Sequence, residues 1–336
     1  MSERKKNLFN AAFVLIVFAL TIYSVFAGKD LGDIAETITE AEPVYLLLGM
    51  GCVVLFIWGE SKILHYMFGT LGIRTKRRTC FIYSCVGFFF SCITPSAGGG
   101  QPAQILYMRK NMIPVPVATV VLMIVTITYK LVLVAVGCFL VLFCRGTMDR
   151  YMWEVLPVFY LGLGLNVVCC TAMLILVFHT SLARNIVMKL LDLLGGFRVF
   201  RRLAAKKERL TLTMDHYGDT AAYLKQHKRV LVNVLLFVTF FVYRSFGLHG
   251  TAMWRIVLLQ ASISVSVDML PLPGGMGISE HLFLTIFDPI FYGDFLLPGM
   301  VLSRGIAYYV QLFFSAAVTA GAHFMFKRRG SRTKCT

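Results

Sequence analysis

Six ionisable residues of this chain stand inside long apolar runs: Lys130, Arg244 and Arg304 are cationic, and Glu60, Asp268 and Glu280 are anionic. A charge at the centre of a bilayer costs ~2.5–3.5 kcal/mol on insertion scales, so residues of this kind face a cavity or a partner. Three such cations can grip an anion, above all a phosphate group whose acyl or prenyl tails remain in lipid. The carboxylates admit two readings. They neutralise Arg244 and Arg304 as buried pairs, or one of them is held protonated by desolvation and couples transport to protons. Asp268 lies just before a glycine- and proline-rich stretch and Glu280 just after it. Arg304, Tyr308 and Gln311 follow at i, i+4 and i+7, one face of a helix.

That stretch is one of two. Thr94-Pro95-Ser96-Ala97-Gly98-Gly99-Gly100-Gln101-Pro102 and Pro271-Leu272-Pro273-Gly274-Gly275-Met276-Gly277 each interrupt an apolar segment. Proline lacks the N–H that a helix needs and glycine costs backbone entropy, so no continuous helix is expected through either. Broken backbone in lipid survives only where protein or a water-filled cavity satisfies its polar groups. Paired breaks in matching places of two halves point to a transporter's binding site. Backbone N–H groups around Gly98, Gly99, Gly100, Gln101, Gly274 and Gly275 are therefore candidate ligand contacts, helped by the positive ends of the half-helices that follow.

The elements that must position these residues are membrane helices. Of 336 residues, 57% are hydrophobic and the mean hydropathy is +0.73, which excludes an ordinary soluble domain. Residues 8–27, 44–62, 115–143, 154–178, 229–249 and 297–326 are each long enough to cross a bilayer. Residues 79–108 and 255–288 are apolar but split by the two breaks. No cleavage site follows the first span, which reads as a retained helix. Nine cysteines show no paired metal spacing, and no metal or cofactor is called for.

The net charge of +16 reports topology rather than nucleic-acid binding. Twenty-six of the 33 Lys and Arg fall in the N-terminus, 62–78, 109–110, 184–229 and the C-terminal tail, against four at positions 29, 145, 150 and 255. The positive-inside rule puts the first group, with both termini, in the cytoplasm. Both ends of 79–108 are then inside and both ends of 255–288 outside. The expected architecture is all-α: about six full spans plus two re-entrant helical hairpins, arranged as an inverted repeat. Residues 180–228 read as a cytoplasmic basic amphipathic linker lying on the anionic leaflet.

The two broken motifs, with Leu106-Tyr107-Met108-Arg109-Lys110 after the first and Ile278-Ser279-Glu280 after the second, resemble the signatures of the lysylphosphatidylglycerol synthase transmembrane family. Tyr243-Arg244 and Ser303-Arg304…Tyr308-Tyr309 resemble it too, and the likeness spans nearly the whole chain. That family includes the membrane half of the multiple peptide resistance factor. The resemblance implies flipping of aminoacylated phosphatidylglycerol in a bacterial inner membrane, with a membrane phospholipid and a separate aminoacyl-lipid synthase as partners. Bifunctional members carry a soluble transferase domain. The ten residues after 326 cannot house one, so synthase activity is not expected of this chain alone. Gln101 stands where relatives commonly carry an acid. Three functions stay open: lipid translocation, a membrane component of aminoacyl-lipid synthesis, and a prenyl-phosphate or small-anion transporter. A homo-oligomer is also left open.

Overall fold

The computed structural model describes residues 36–94, 97–178, 236–270, 272 and 275–332. The span at 8–27, the linker at 180–228, Gly274 and parts of both breaks lie outside the described residues. What is described is helical: α1 (Pro43–Thr70), α2 (Arg77–Ile93), α3 (Gly100–Lys110), α4 (Val115–Phe143), α5 (Arg145–Tyr151), α6 (Leu156–Phe178), α7 (Leu236–Ser245), α8 (Met253–Val267), α9 (Ile278–Phe287), α10 (Leu296–Arg304) and α11 (Gln311–Arg332). A π-helical turn, Gly305–Val310, joins the last two.

Local chemistry sets these boundaries. Pro43 opens α1, where its missing N–H is no loss and its fixed φ suits the first turn. α2 stops at Ile93 because Thr94 precedes a proline; Thr94 is extended, at φ −116° and ψ 144°. Gly247 at φ +68° returns its N–H to Arg244 O and closes α7, a left-handed C-terminal cap that glycine adopts without strain. α9 begins after Gly277 at φ +85°.

Among the described residues, four helices are long and apolar enough to cross a membrane: Pro43–Thr70, Val115–Phe143, Trp153–Ile175 and Gly293–Ala322. They match four of the six expected spans. Of the span at 229–249, only the part from Leu236 is described, and its helix ends at Ser245. α8 and α9 are shorter apolar helices, as the broken segment 255–288 requires. Large apolar side chains such as Leu47, Leu55, Leu142, Phe143, Val168 and Phe313 are exposed along the long helices. A soluble surface would not tolerate this, whereas lipid demands it.

The core divides into two clusters, one towards each end of the bundle. One gathers the end of α1 (Leu64, Phe68), the start of α2 (Cys80, Tyr83), the end of α3 (Tyr107, Met108), the start of α4 (Ala118) and Ala322. The other gathers the end of α4 (Leu140), the end of α7 (Tyr243), the start of α8 (Ile256, Leu259), the end of α9 (Phe287) and Met300. The outer ends of α2 and α3 thus share one cluster, and those of α8 and α9 share the other. The packing is reciprocal as well: α1 lies against α7, α2 against α11, and α8 against α4.

Candidate functional site

The breaks bring the intramembrane charges together in two places. Lys130, buried near the middle of α4, makes an ion pair with Asp268, the residue that ends α8. The same ammonium donates to Asn166 Oδ1 at 3.2 Å and lies 2.8 Å from Met269 Sδ. Asn166 is itself fully buried and donates to Gly162 O (3.0 Å) and Val265 O (3.2 Å), so it fastens α6 to α8. Tyr129 turns its hydroxyl to the Asp268 carboxylate. Helices α6 and α8 approach this closely because Gly162 has no side chain. A Cβ there would lie 2.6 Å from the carbonyl oxygens of Val265 and Ser266.

The second pair sits at the other side of the same break. Arg304 Nε donates to Glu280 Oε1 at 2.8 Å. Glu280 Oε2 accepts from the Gly277 N–H at 2.7 Å and from Ser279 Oγ at 3.2 Å. The carboxylate therefore caps α9 and binds Arg304 at once, with both oxygens engaged in charge-assisted hydrogen bonds. The Arg304 guanidinium lies over the Tyr308 ring, 5.3 Å from its centre. Tyr308 in turn donates its hydroxyl to Cys92 O, in the last turn of α2, at 2.8 Å. One helical segment, Arg304 to Tyr308, thus touches both breaks. Lys130 and Tyr308 each stand fifteen residues beyond the first residue of their long helix, Val115 and Gly293.

The first break is closed differently. Thr94 Oγ1 accepts the Gly99 N–H at 2.9 Å and donates to Phe90 O at 2.6 Å. A Cβ on Gly100 would fall 2.7 Å from Gly87 O and collide with Ser91, and one on Gly87 would collide with Gln104. Here glycine serves close approach of α2 and α3. Gln104 donates to Glu60 Oε1 at 2.9 Å, tying α3 to α1, and Gln101 donates to Thr126 Oγ1 on α4. Gly98 is exposed. The Gly99 N–H is thus engaged within the break, and the Gly275 N–H likewise, by Leu272 O at 3.2 Å.

Two sequence expectations change. Asp268 pairs with Lys130, not with Arg244. Arg244 joins neither pair: it stands in the last turn of α7, its guanidinium beside His249 Nδ1 and over the Phe240 ring. The face drawn through Arg304, Tyr308 and Gln311 is bent by the π turn, which adds residues to the turn between them, although Gln311 remains buried. Asn166 and Gln104 were not singled out from sequence. Both are polar residues inside apolar segments, the signal that marked the charges. Cys92 contributes only a carbonyl, which no side-chain pattern reveals. Among the described residues no group of three or more His, Cys, Asp or Glu is placed to hold a metal ion.

All-α packing, lipid-facing apolar helices and charges paired at helix breaks define a multi-pass membrane protein. Its family follows from the sequence: the model of the Lysylphosphatidylglycerol synthase TM region matches residues 9–315, and the chain belongs to that family. The family is a membrane domain associated with lysylphosphatidylglycerol synthesis or flipping. Comparison with curated proteins gives no match.

Proposed function

We propose that this protein moves a phospholipid between the leaflets of a bacterial inner membrane, with an aminoacylated lipid such as lysylphosphatidylglycerol as the favoured cargo. The observation that carries the reading is the Arg304–Glu280 pair at a helix break, beside a second pair of the same kind. A phosphodiester competes with Glu280 for the guanidinium. If the lipid brings only negative charge, Glu280 is stranded, and a buried charge robbed of its partner costs about 3–5 kcal/mol. A lipid that also carries an ammonium returns a partner to Glu280 as its phosphate takes Arg304. The exchange then leaves neither Arg304 nor Glu280 without a partner, and lysyl-phosphatidylglycerol has both groups.

The packing supports a transporter frame. In each half a helix (α1 or α7) is followed by a helix–break–helix unit whose outer ends lie in one cluster, and then by a long helix. The two units enter from opposite ends, as re-entrant hairpins of an inverted repeat would. The cluster at the Arg77–Arg78 and Arg109–Lys110 end is then cytoplasmic.

The test is leaflet-resolved movement of labelled lysyl-phosphatidylglycerol and phosphatidylglycerol in liposomes holding the purified protein. Arg304→Ala should slow both lipids at least about tenfold, the equivalent of ~1.4 kcal/mol. Glu280→Gln should narrow the preference for the lysyl lipid. Movement by Arg304→Ala at the native rate, or no movement of either lipid by the native protein, overturns the proposal.

A further inference from the structure

A cleft of about 620 Å³ opens at the end of the bundle where α5, α9 and the start of α10 meet. One face of α9 lines it: His281, Leu284, Thr285 and Asp288, spaced at i, i+3, i+4 and i+7. The neighbouring Glu280 points away to Arg304. Across the cleft stand Arg150 and Glu154. Among the described residues, none of Arg150, Glu154, His281 and Asp288 makes an ion pair, although two carboxylates and two basic groups share one cavity. The guanidinium of Arg150 only covers the Tyr151 ring, at 5.6 Å.

The surroundings say what such a cavity meets. Leu284, Leu296 and Leu297 form an apolar wall on one side. Trp153 on the rim, with Trp254 and Tyr292 among the exposed aromatics of the loops at this end, has the amphipathic character of residues found at the level of lipid head groups. The end is also poor in Lys and Arg, the sign of an outward face.

We propose that this cleft is a second lipid site, distinct from the Arg304–Glu280 pair, which holds a phospholipid head group bearing both an ammonium and a phosphodiester at the outer surface. Glu154 and Asp288 take the ammonium. Arg150 takes the phosphodiester, with His281 beside it. The leucine wall receives the glycerol end of the acyl chains. Asp288 stands eight residues beyond Glu280, about 12 Å of helix rise, so a lipid leaving Glu280 has only to pass along one helix to reach Asp288. This assignment rests on the translocation reading for its direction of traffic, but not for the binding itself.

The experiment reads binding rather than transport. The protein is purified from membranes of equal phosphatidylglycerol and lysyl-phosphatidylglycerol content, and the lipids retained are counted by native mass spectrometry. The native protein should enrich the lysyl lipid over the bulk ratio. Glu154→Gln with Asp288→Asn should cut that enrichment roughly fivefold, the scale of an exposed charge contact. Arg150→Gln should lower retention of both lipids without changing their ratio. All these side chains are exposed at helix ends, so an unchanged melting temperature serves as the folding control. Enrichment that survives Glu154→Gln/Asp288→Asn but disappears in Arg304→Ala overturns the cleft site. Enrichment that depends on Glu154 and Asp288 in a protein that moves no lipid keeps the cleft and removes the translocation reading.

Discussion

Lys130→Met should destabilise the protein far more than the loss of one hydrogen bond, and Asp268→Asn made in the same chain should restore much of the loss. Lys130 and Asp268 keep only 9% and 14% of their side-chain surface, so each charge depends on the other rather than on water. Removing one partner of a buried pair costs about 3–5 kcal/mol, whereas removing both is close to neutral. Residual exposure and the hydroxyl of Tyr129 soften the stranded Asp268, which argues for the lower end, ~3 kcal/mol for either single change. The double variant should lie within about 1 kcal/mol of the native protein, giving a coupling energy several times that of an exposed pair. Unfolding in mixed micelles by added dodecyl sulfate, followed through the three tryptophans, measures all four corners of the cycle. If both single variants unfold within about 1 kcal/mol of the native protein, or if their costs simply add in the double variant, the pair does not hold the break and the reasoning fails.

Two further outcomes test the frame around that pair. Gly162→Ala should cost roughly 1–3 kcal/mol because its Cβ meets the backbone of α8, whereas Gly164→Ala, with nothing within 4 Å, should be neutral or slightly stabilising; the same unfolding titration reads both. On a cysteine-free background, Met112→Cys and Trp153→Cys, exposed at opposite ends of the bundle, should react with a membrane-impermeant maleimide from opposite sides, Trp153→Cys from outside; labelling of both from one side would break the topology.

Legibility in the sequence followed the range of the forces involved. The helix over 115–143 coincides with α4, Val115–Phe143, because its limits are set locally, by Pro114 and Pro116 at one end and by the apolar run itself. The breaks were legible for the same reason, since proline and glycine act on their own backbone. The charges stood out because lipid penalises them wherever they sit. What stayed hidden is which charge meets which. Asp268 reaches Lys130 rather than Arg244 because α8 crosses α4 at that depth, and crossing depends on Gly162 admitting α6 against α8, 99 and more positions apart in sequence. Nothing in the residues of 305–310 announces a π turn. Gly99 and Gly100 read as ligand contacts or breakers, yet together with Gly87, which no motif marks, they prove to be what lets two short helices pack side by side.

The two breaks are therefore not equivalent, and the difference bears on how an exchange of partners could work. The first is closed upon itself: Thr94 holds Gly99, Gly87 and Gly100 lock α2 to α3, and Glu60 and Gln101 are engaged by neutral groups. With neutral partners on both side chains, this break offers a charged lipid no ion pair to exchange with. The second break is held at each side by an ion pair to a long helix, Asp268 to α4 and Glu280 to α10. Ion pairs are what a phosphate and an ammonium can replace one for one, at little net cost when both arrive together. If cargo passes through this protein, the second break is the part that must yield. The first, through the Tyr308 hydroxyl on Cys92 O, is the fixed edge against which it moves.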